Sequence, residues 1–286
     1  MKICFTLAIL SLVVAGAANA AGISPDSRGL EIAGSSTVQP LAEMVGELYH
    51  KKYGAPVRIS GGGTMAGIEG VLAGTADIGL VSRALKESEK AELDYATIGH
   101  DAVVIIVNSG NPVSEMRRDT LVALFSGTVR NWKELGGRDE SILLISKLPG
   151  RSTLELFEEY TVLRHPSRAE KGQGGLISKS VYEIGSNLEC ATLVGGLPGA
   201  IGYVSMGTAL SLIKEGMPLK ILSLDGITGS RENVINGKYP VRRDLNLVFR
   251  KNNRKVKRFI EIFLGPEGQR ILMDHDFIPA KGGRAD

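Results

Sequence analysis

The chain has 286 residues, 43% of them hydrophobic and 23% charged, a balance that excludes a disordered polar chain and leaves room for sizeable cores. The formal net charge of +3 is too small to imply a nucleic-acid partner. The densest basic stretch, Arg250 to Arg258, reads as the solvated face of a helix whose apolar side is Val256, Phe259, Ile260 and Phe263.

Residues 1–20 read as an address. Lys2 gives a positive start, Cys4 to Val14 an apolar core, and Ala18-Asn19-Ala20 a small-residue cleavage site, so a signal peptide removed after Ala20 is expected. Its apolar core is shorter than the roughly 20 residues a membrane span needs. An exported, periplasmic product follows. Cys4 leaves with the leader and stands too early to be a lipid-attachment cysteine. Cys190 then has no partner for a disulfide and reads as a buried packing residue.

Gly29 to Ala33 predicts a strand running into the hydroxyl-rich turn Gly34-Ser35-Ser36-Thr37. A helix then carries Leu41, Met44, Val45 and Leu48 on one face and stops at Gly54. Val57 to Ser60 is a second strand. It enters a turn of three glycines, Gly61 to Gly63, followed by Thr64 and a helix with Met65, Ile68, Val71 and Leu72. A glycine turn at a helix start aims backbone N–H groups and the positive end of the dipole at one small volume, where an anion could sit. Gly74 ends that helix. The strand Ala76 to Val81 delivers Ser82 and Arg83 to its C-terminal end, the edge at which open α/β sheets bind ligands.

Asp101 to Asn108 is a nearly continuous β-branched run, the pattern of a strand buried on both faces. Leu121, Leu124 and Phe125 predict a short helix, and Trp132 in the following turn reads as a packing residue. The strand Ser141 to Ser146 leads into Lys147-Leu148-Pro149-Gly150-Arg151-Ser152-Thr153, then a helix with Leu154, Phe157 and Tyr160. Two cations at a helix start oppose the dipole unless an anion lies between them. Further strands are expected at Ala200 to Val204, Ile221 to Leu224 and Arg243 to Phe249, with helices at 259–264 and 269–273 separated by a break at Pro266 to Gly268. Alternating strands and helices without a repeat argue an α/β fold.

Three turns offering hydroxyls, helix starts and basic side chains suit a small tetrahedral oxyanion, since a buried charge needs donors on every oxygen. Enzymatic motifs are lacking: there is no Walker A pattern, HExxH or GxSxG. Gly61 to Ala66 fits a loose G-x-G-x-x-A, but Ser82-Arg83 stand where a dinucleotide site places an acidic residue. The histidines at 50, 100, 165 and 275 have no ligand spacing. No catalytic residue, metal or other cofactor is expected.

Five ordered blocks resemble the phosphate-binding proteins of bacterial phosphate ABC transporters: Gly34 to Val38, Ser60 to Arg83, Phe125-Ser126-Gly127 with Asn131 to Gly137, Pro198 to Tyr203, and Tyr239-Pro240. The resemblance spans essentially the whole mature chain. It implies a periplasmic-binding-protein fold of two α/β lobes, 21–106 plus 241–286 and 107–240, with a ligand cleft and crossing hinge strands. It implies that Ser36, the Thr37 hydroxyl, the Val38 amide, Thr64, Ser82, Arg83, Lys147, Arg151, Ser152 and Thr153 line the cleft. Lys147 stands where the family has an arginine, and Arg151 and Ser152 transfer by position alone. A carboxylate found at position 82 in some members, which accepts the proton of hydrogen phosphate, is here Ser82. The partners implied are inorganic phosphate and the membrane permease of an ABC importer, with the protein a monomer. Sulfate, molybdate or tungstate, or an exported sensor or enzyme on the same fold, are the alternatives.

Overall fold

The computed structural model describes residues 29–170 and 174–280; the expected leader and its cleavage point lie outside them. The elements of the first part are β1 (Leu30–Gly34), α1 (Gln39–Tyr53), β2 (Val57–Ser60), α2 (Thr64–Ala73), β3 (Ile78–Val81), α3 (Glu87–Glu92), β4 (Leu93–Asn108), β5 (Glu115–Met116) and α4 (Arg118–Phe125). There follow β6 (Leu143–Lys147), α5 (Ser152–Thr161), β7 (Leu163–Arg164), β8 (Gly175–Leu176), β9 (Tyr182–Ile184), α6 (Asn187–Gly196), β10 (Ala200–Ser205) and α7 (Met206–Lys214). The last are β11 (Leu219–Ile221), β12 (Ser223–Leu224), α8 (Arg231–Ile235), β13 (Arg242–Arg250), α9 (Lys257–Leu264), α10 (Pro266–Asp274) and β14 (Ile278–Pro279).

One curled sheet runs β2-β1-β3-β13-β4-β10-β6-β9, with β11 and β14 also on β4. Its backbone is β4. Residues 93–102 of that strand pair antiparallel with β13, and residues 103–107 pair with β10. The run Ala102 to Val107 is wholly buried, as its β-branched composition requires. The first half, Leu93 to His100, has exposed Asp94 and Tyr95 and no apolar run, so nothing in its pattern announces a strand.

Two large cores flank this pair of strands, and a smaller third one packs Ile68 and Val71 of α2 on Val81 and Val248. The first is built from α1, α9 and α10 against β1 and β3, with Leu41, Val45, Tyr49, Leu80, Phe259 and Phe263 at its centre. The second begins at Ala102 and gathers α4, α5 and α6 around Phe125, Phe157 and Tyr203, whose last two rings stack at 4.0 Å. Trp132 is buried there and donates its indole N–H to the Gly199 carbonyl at 2.9 Å, a packing role. Cys190 is fully buried too, and burial pushes its thiol pKa up. The expected break at Pro266 is instead a helix start: proline sits in the first turn of α10, where a missing N–H costs nothing.

The height of α2 above the sheet is set by two glycines. A Cβ on Gly79 would stand 2.6 Å from the Gly67 carbonyl oxygen, and one on Gly67 would stand 2.8 Å from that of Ala33. Helix and sheet therefore touch backbone to backbone, which brings Thr64 at the head of α2 within reach of Ser82 past the end of β3. Gly79→Ala forces that contact apart and is expected to destabilise the protein by about 1–3 kcal/mol, read from the urea unfolding midpoint.

Candidate functional site

The ends of β1, β3 and β6 and the starts of α2, α5 and α6 bring a buried polar cluster to the crossing of β4 and β13. Its anchor is Arg243, directly opposite Asp101 in the β13–β4 register. Both side chains are 0% exposed. Arg243 donates from Nε and Nη2 to Asp101 Oδ2 at 2.9 and 2.7 Å, and Asp101 Oδ1 accepts the Gly207 amide at 3.1 Å. The remaining reach of the guanidinium goes to hydroxyls: Nη1 donates to Thr153 Oγ1 and Nη2 to Thr37 Oγ1, each at 3.0 Å.

Thr37 Oγ1 also accepts from Asn187 Nδ2 at 2.9 Å. A hydroxyl has two acceptor sites and one donor. With both acceptor sites filled, the Thr37 proton is committed to donating to something else. Beside it runs a chain of hydroxyls. Ser35 donates to Ser82 Oγ at 2.7 Å, Ser82 Oγ lies 2.6 Å from Ser152 Oγ, and Ser152 Oγ lies 3.0 Å from Thr64 Oγ1. All of these side chains are buried. Hydroxyl donors fixed by a buried cation form a surface suited to an anion with several oxygens.

Lys147 stands near Arg243 at the edge of the cluster. It is buried, and its ammonium donates to the Ser186 carbonyl at 2.7 Å, just before Asn187. Burial pushes its pKa down from the ordinary 10.5 to about 8, with the charges of Arg243 and Arg151 adding to the fall and Cys190 and Glu189 opposing it. Arg151 lies over the glycine turn, its Cδ so near Gly63 that a Cβ there would stand 2.6 Å away. Gly63 has φ 92°, which suits glycine alone. The buried Arg151 Nε has no hydrogen-bond partner among the described residues. Burial lowers the Arg151 pKa, with Glu189 partly opposing that shift.

Of the residues singled out in the sequence, Thr37, Thr64, Ser82, Ser152 and Thr153 meet in this cluster, with Lys147 and Arg151 at its edges. Ser36 is half-buried in the turn beside it. The Val38 amide is engaged elsewhere, donating to the Ser35 carbonyl at 3.1 Å inside the turn. The glycine turn is likewise less free than expected. The Gly63 amide donates to Gly34 O at 2.9 Å and the Met65 amide to Gly150 O at 3.3 Å, because the turn is docked on the end of β1 and on the loop before α5.

Arg83 departs furthest from the sequence reading. Its guanidinium is held by Glu89 at 2.7 and 2.8 Å, Glu155 at 2.8 Å, the Ala84 carbonyl at 2.9 Å and Met65 Sδ at 3.7 Å. All five donors are used. Arg243, Asp101, Asn187 and Ser35 were missed. Arg243 and Asp101 stood at the starts of recognised strands as ordinary charged residues, and the one available signal was a charge at the head of each strand segment. Among the described residues, no group of three or more His, Cys, Asp or Glu side chains could hold a metal ion, and no helix is long and apolar enough to cross a membrane.

Two cores joined by crossing strands, with donor groups gathered at the crossing, define the class of solute-binding α/β proteins. The family model for the PBP superfamily domain matches residues 17–267. The phosphate-binding protein PstS of Bacillus subtilis is 30% identical over 228 residues, covering 78% of this chain and 70% of its own. That of Borreliella burgdorferi is 26% identical, covering 88% and 90%. Among solved structures, a putative phosphate ABC transporter substrate-binding protein from Clostridium perfringens with bound phosphate superposes with a TM-score of 0.78 at 29% identity, covering 89% of this chain and all of that one. The chain belongs to the PBP superfamily and, within it, to the family of PstS phosphate-binding proteins.

Removing one member of the buried pair strands the other charge without water. Asp101→Asn is expected to lower unfolding stability by about 3–5 kcal/mol, and the double replacement Asp101→Leu with Arg243→Met to recover most of it, both read by urea denaturation.

Proposed function

We propose that this chain is a non-catalytic solute-binding protein that captures inorganic phosphate at the hydroxyl cluster and delivers it to the permease of an ABC importer. In this reading the leader is removed after Ala20 and the exported monomer works in the periplasm. Two lobes, 21–106 plus 241–286 and 107–240, close on the anion about the crossing strands. The observation that carries the proposal is Thr37. Its hydroxyl accepts from both Arg243 and Asn187, so its proton is aimed at an acceptor that a phosphate oxygen would supply. Thr153, Ser152, Ser82 and Thr64 extend the donor surface, while Lys147 and Arg151 supply countercharge.

A second reading, another tetrahedral oxyanion such as sulfate or molybdate, is favoured by one feature. Among the described residues, the carboxylate hydrogen-bonded to the cluster is Asp101, and both of its oxygens are already engaged. The proton of hydrogen phosphate would then be received by a hydroxyl oxygen, which a proton-free oxyanion could equally satisfy by accepting. Titration calorimetry of the ligand-free protein decides between them. One-to-one phosphate binding that sulfate and molybdate do not displace is the expected result, and no heat with phosphate would sink the proposal. Thr153→Val, which removes one donor to a charged group, is expected to weaken binding by about tenfold or more.

Lys147 gives the pH dependence its sign. A lysine whose folded pKa is lowered to about 8 releases its proton in the native state before the unfolded chain does, so native stability gains as pH rises from there towards 10.5. Anion binding acts oppositely, since the anion favours the charged ammonium. Phosphate affinity is therefore expected to fall above pH 8, by up to about tenfold per pH unit. Binding near pH 9 should take up a proton, seen as a dependence of the heat on buffer ionisation enthalpy, and Lys147→Met should abolish that uptake.

A further inference from the structure

Arg83 and Glu155 form a contact between the two halves that the anion cluster does not need. Arg83 follows β3 on the first core, one residue after Ser82. Glu155 is in the first turn of α5 on the second core, three residues after Ser152, and positions i and i+3 share a helix face. The structure therefore repeats one pairing twice in parallel: Ser82 Oγ to Ser152 Oγ at 2.6 Å, and Arg83 Nε to Glu155 Oε2 at 2.8 Å. Whatever separates the hydroxyls also separates the ion pair.

The two carboxylates on Arg83 have different duties. Glu89, in α3 of the same half, grips both terminal nitrogens in a fork and accepts the Lys86 amide at 2.9 Å through Oε2. Burial alone would raise the Glu89 pKa; Arg83 and the Lys86 amide outweigh it and hold it below the ordinary carboxylate range. Asn246 of β13 fixes the Arg83 backbone carbonyl at 2.9 Å. Arg83 is thus set in place from its own side, with Nε pointing outward. Glu155 is the member contributed by the other half, and opening would return it to water while leaving Arg83 paired with Glu89.

The surroundings fit a contact that forms and breaks. Arg83 and Glu155 line one wall of a cavity of about 810 Å³ whose other walls include Leu85, Leu156, Asp244 and Pro279. Side-chain exposure is 7% for Arg83 and 16% for Glu155. That is dry enough for a charge-assisted bond to hold well, and close enough to the cavity for water to reach Glu155 as the bond breaks.

We propose that Arg83 and Glu155 are a closure latch: positioning residues that bias the two halves towards the closed form and slow release of the bound anion without touching it. The proposal rests on the closing, anion-binding reading above. Glu155→Lys places a like charge against Arg83, and Glu155→Gln removes the charge while keeping the shape. Glu159→Lys makes the same charge change one turn further along α5, at a residue that also borders the cavity.

The decisive measurement is the radius of gyration of the ligand-free proteins by small-angle X-ray scattering, with circular dichroism as the check on folding. Glu155→Lys is expected to enlarge the radius relative to wild type, Glu155→Gln to do so less, and Glu159→Lys to leave it unchanged. Stopped-flow release of phosphate should be accelerated by about tenfold in Glu155→Lys, with association within about twofold of wild type. Equal radii for wild type and Glu155→Lys, or equal responses of the two lysine variants, would overturn the latch. If Glu155→Lys fails to fold, the same comparison is made with Glu155→Gln. Failure of wild type to bind phosphate would overturn the functional reading instead, and the ligand-free radii would still decide the latch.

Discussion

The site depends on the ion pair between Arg243 and Asp101. Neither side chain has any exposed surface, so each has lost hydration worth several kcal/mol, and the pair persists only if every lone pair and N–H around it is answered. The answer comes from elsewhere in the fold: the Gly207 amide at the start of α7, Thr37 before α1 and Thr153 in α5. One buried guanidinium thereby fixes the orientation of hydroxyls from both cores. Because Arg243 and Asp101 face each other across adjacent strands, the same pair lies where the chain passes between those cores.

Most of the elements were legible, and for a common reason. β1, β2 and β3 each end in a turn of small or hydroxyl residues, and α1, α2 and α5 each carry an apolar stripe, so periodicity and punctuation agree. The failures have a physical pattern as well. Residues 93–100 form half of β4 by pairing with β13 and β14, a tertiary partnership that the local sequence does not encode. α6 begins at Asn187, whose side chain is spent on Thr37. Its stripe is blurred by small residues that let it pack closely, and no helix was foreseen there.

The polar cluster was half legible. The residues at chain junctions, Thr37, Thr64, Ser82, Ser152 and Thr153, announced themselves through the turns that hold them. Arg243 did not, since 142 residues separate it from Asp101 and neither has a local motif. Arg83 was misread for the opposite reason. Its place at a strand end suggested a ligand donor, while Glu89, six residues on, and Glu155, far along the chain, had already claimed its guanidinium. Position along a sheet tells where a side chain begins, and competition among partners decides where its charge ends.

That competition also separates the cations by task. Arg83 is neutralised by two carboxylates and serves cohesion. Arg243 has one carboxylate and spends its remaining donors on hydroxyls. Among the described residues, Lys147 and Arg151 have no carboxylate in hydrogen-bonding contact, and both have their pKa values lowered by burial. A field of this kind is costly in isolation and is relieved by negative charge placed among the donors. In the proposed reading, Lys147 and Arg151 are therefore the cations that an anion would relieve most, and Arg83 the one it would relieve least.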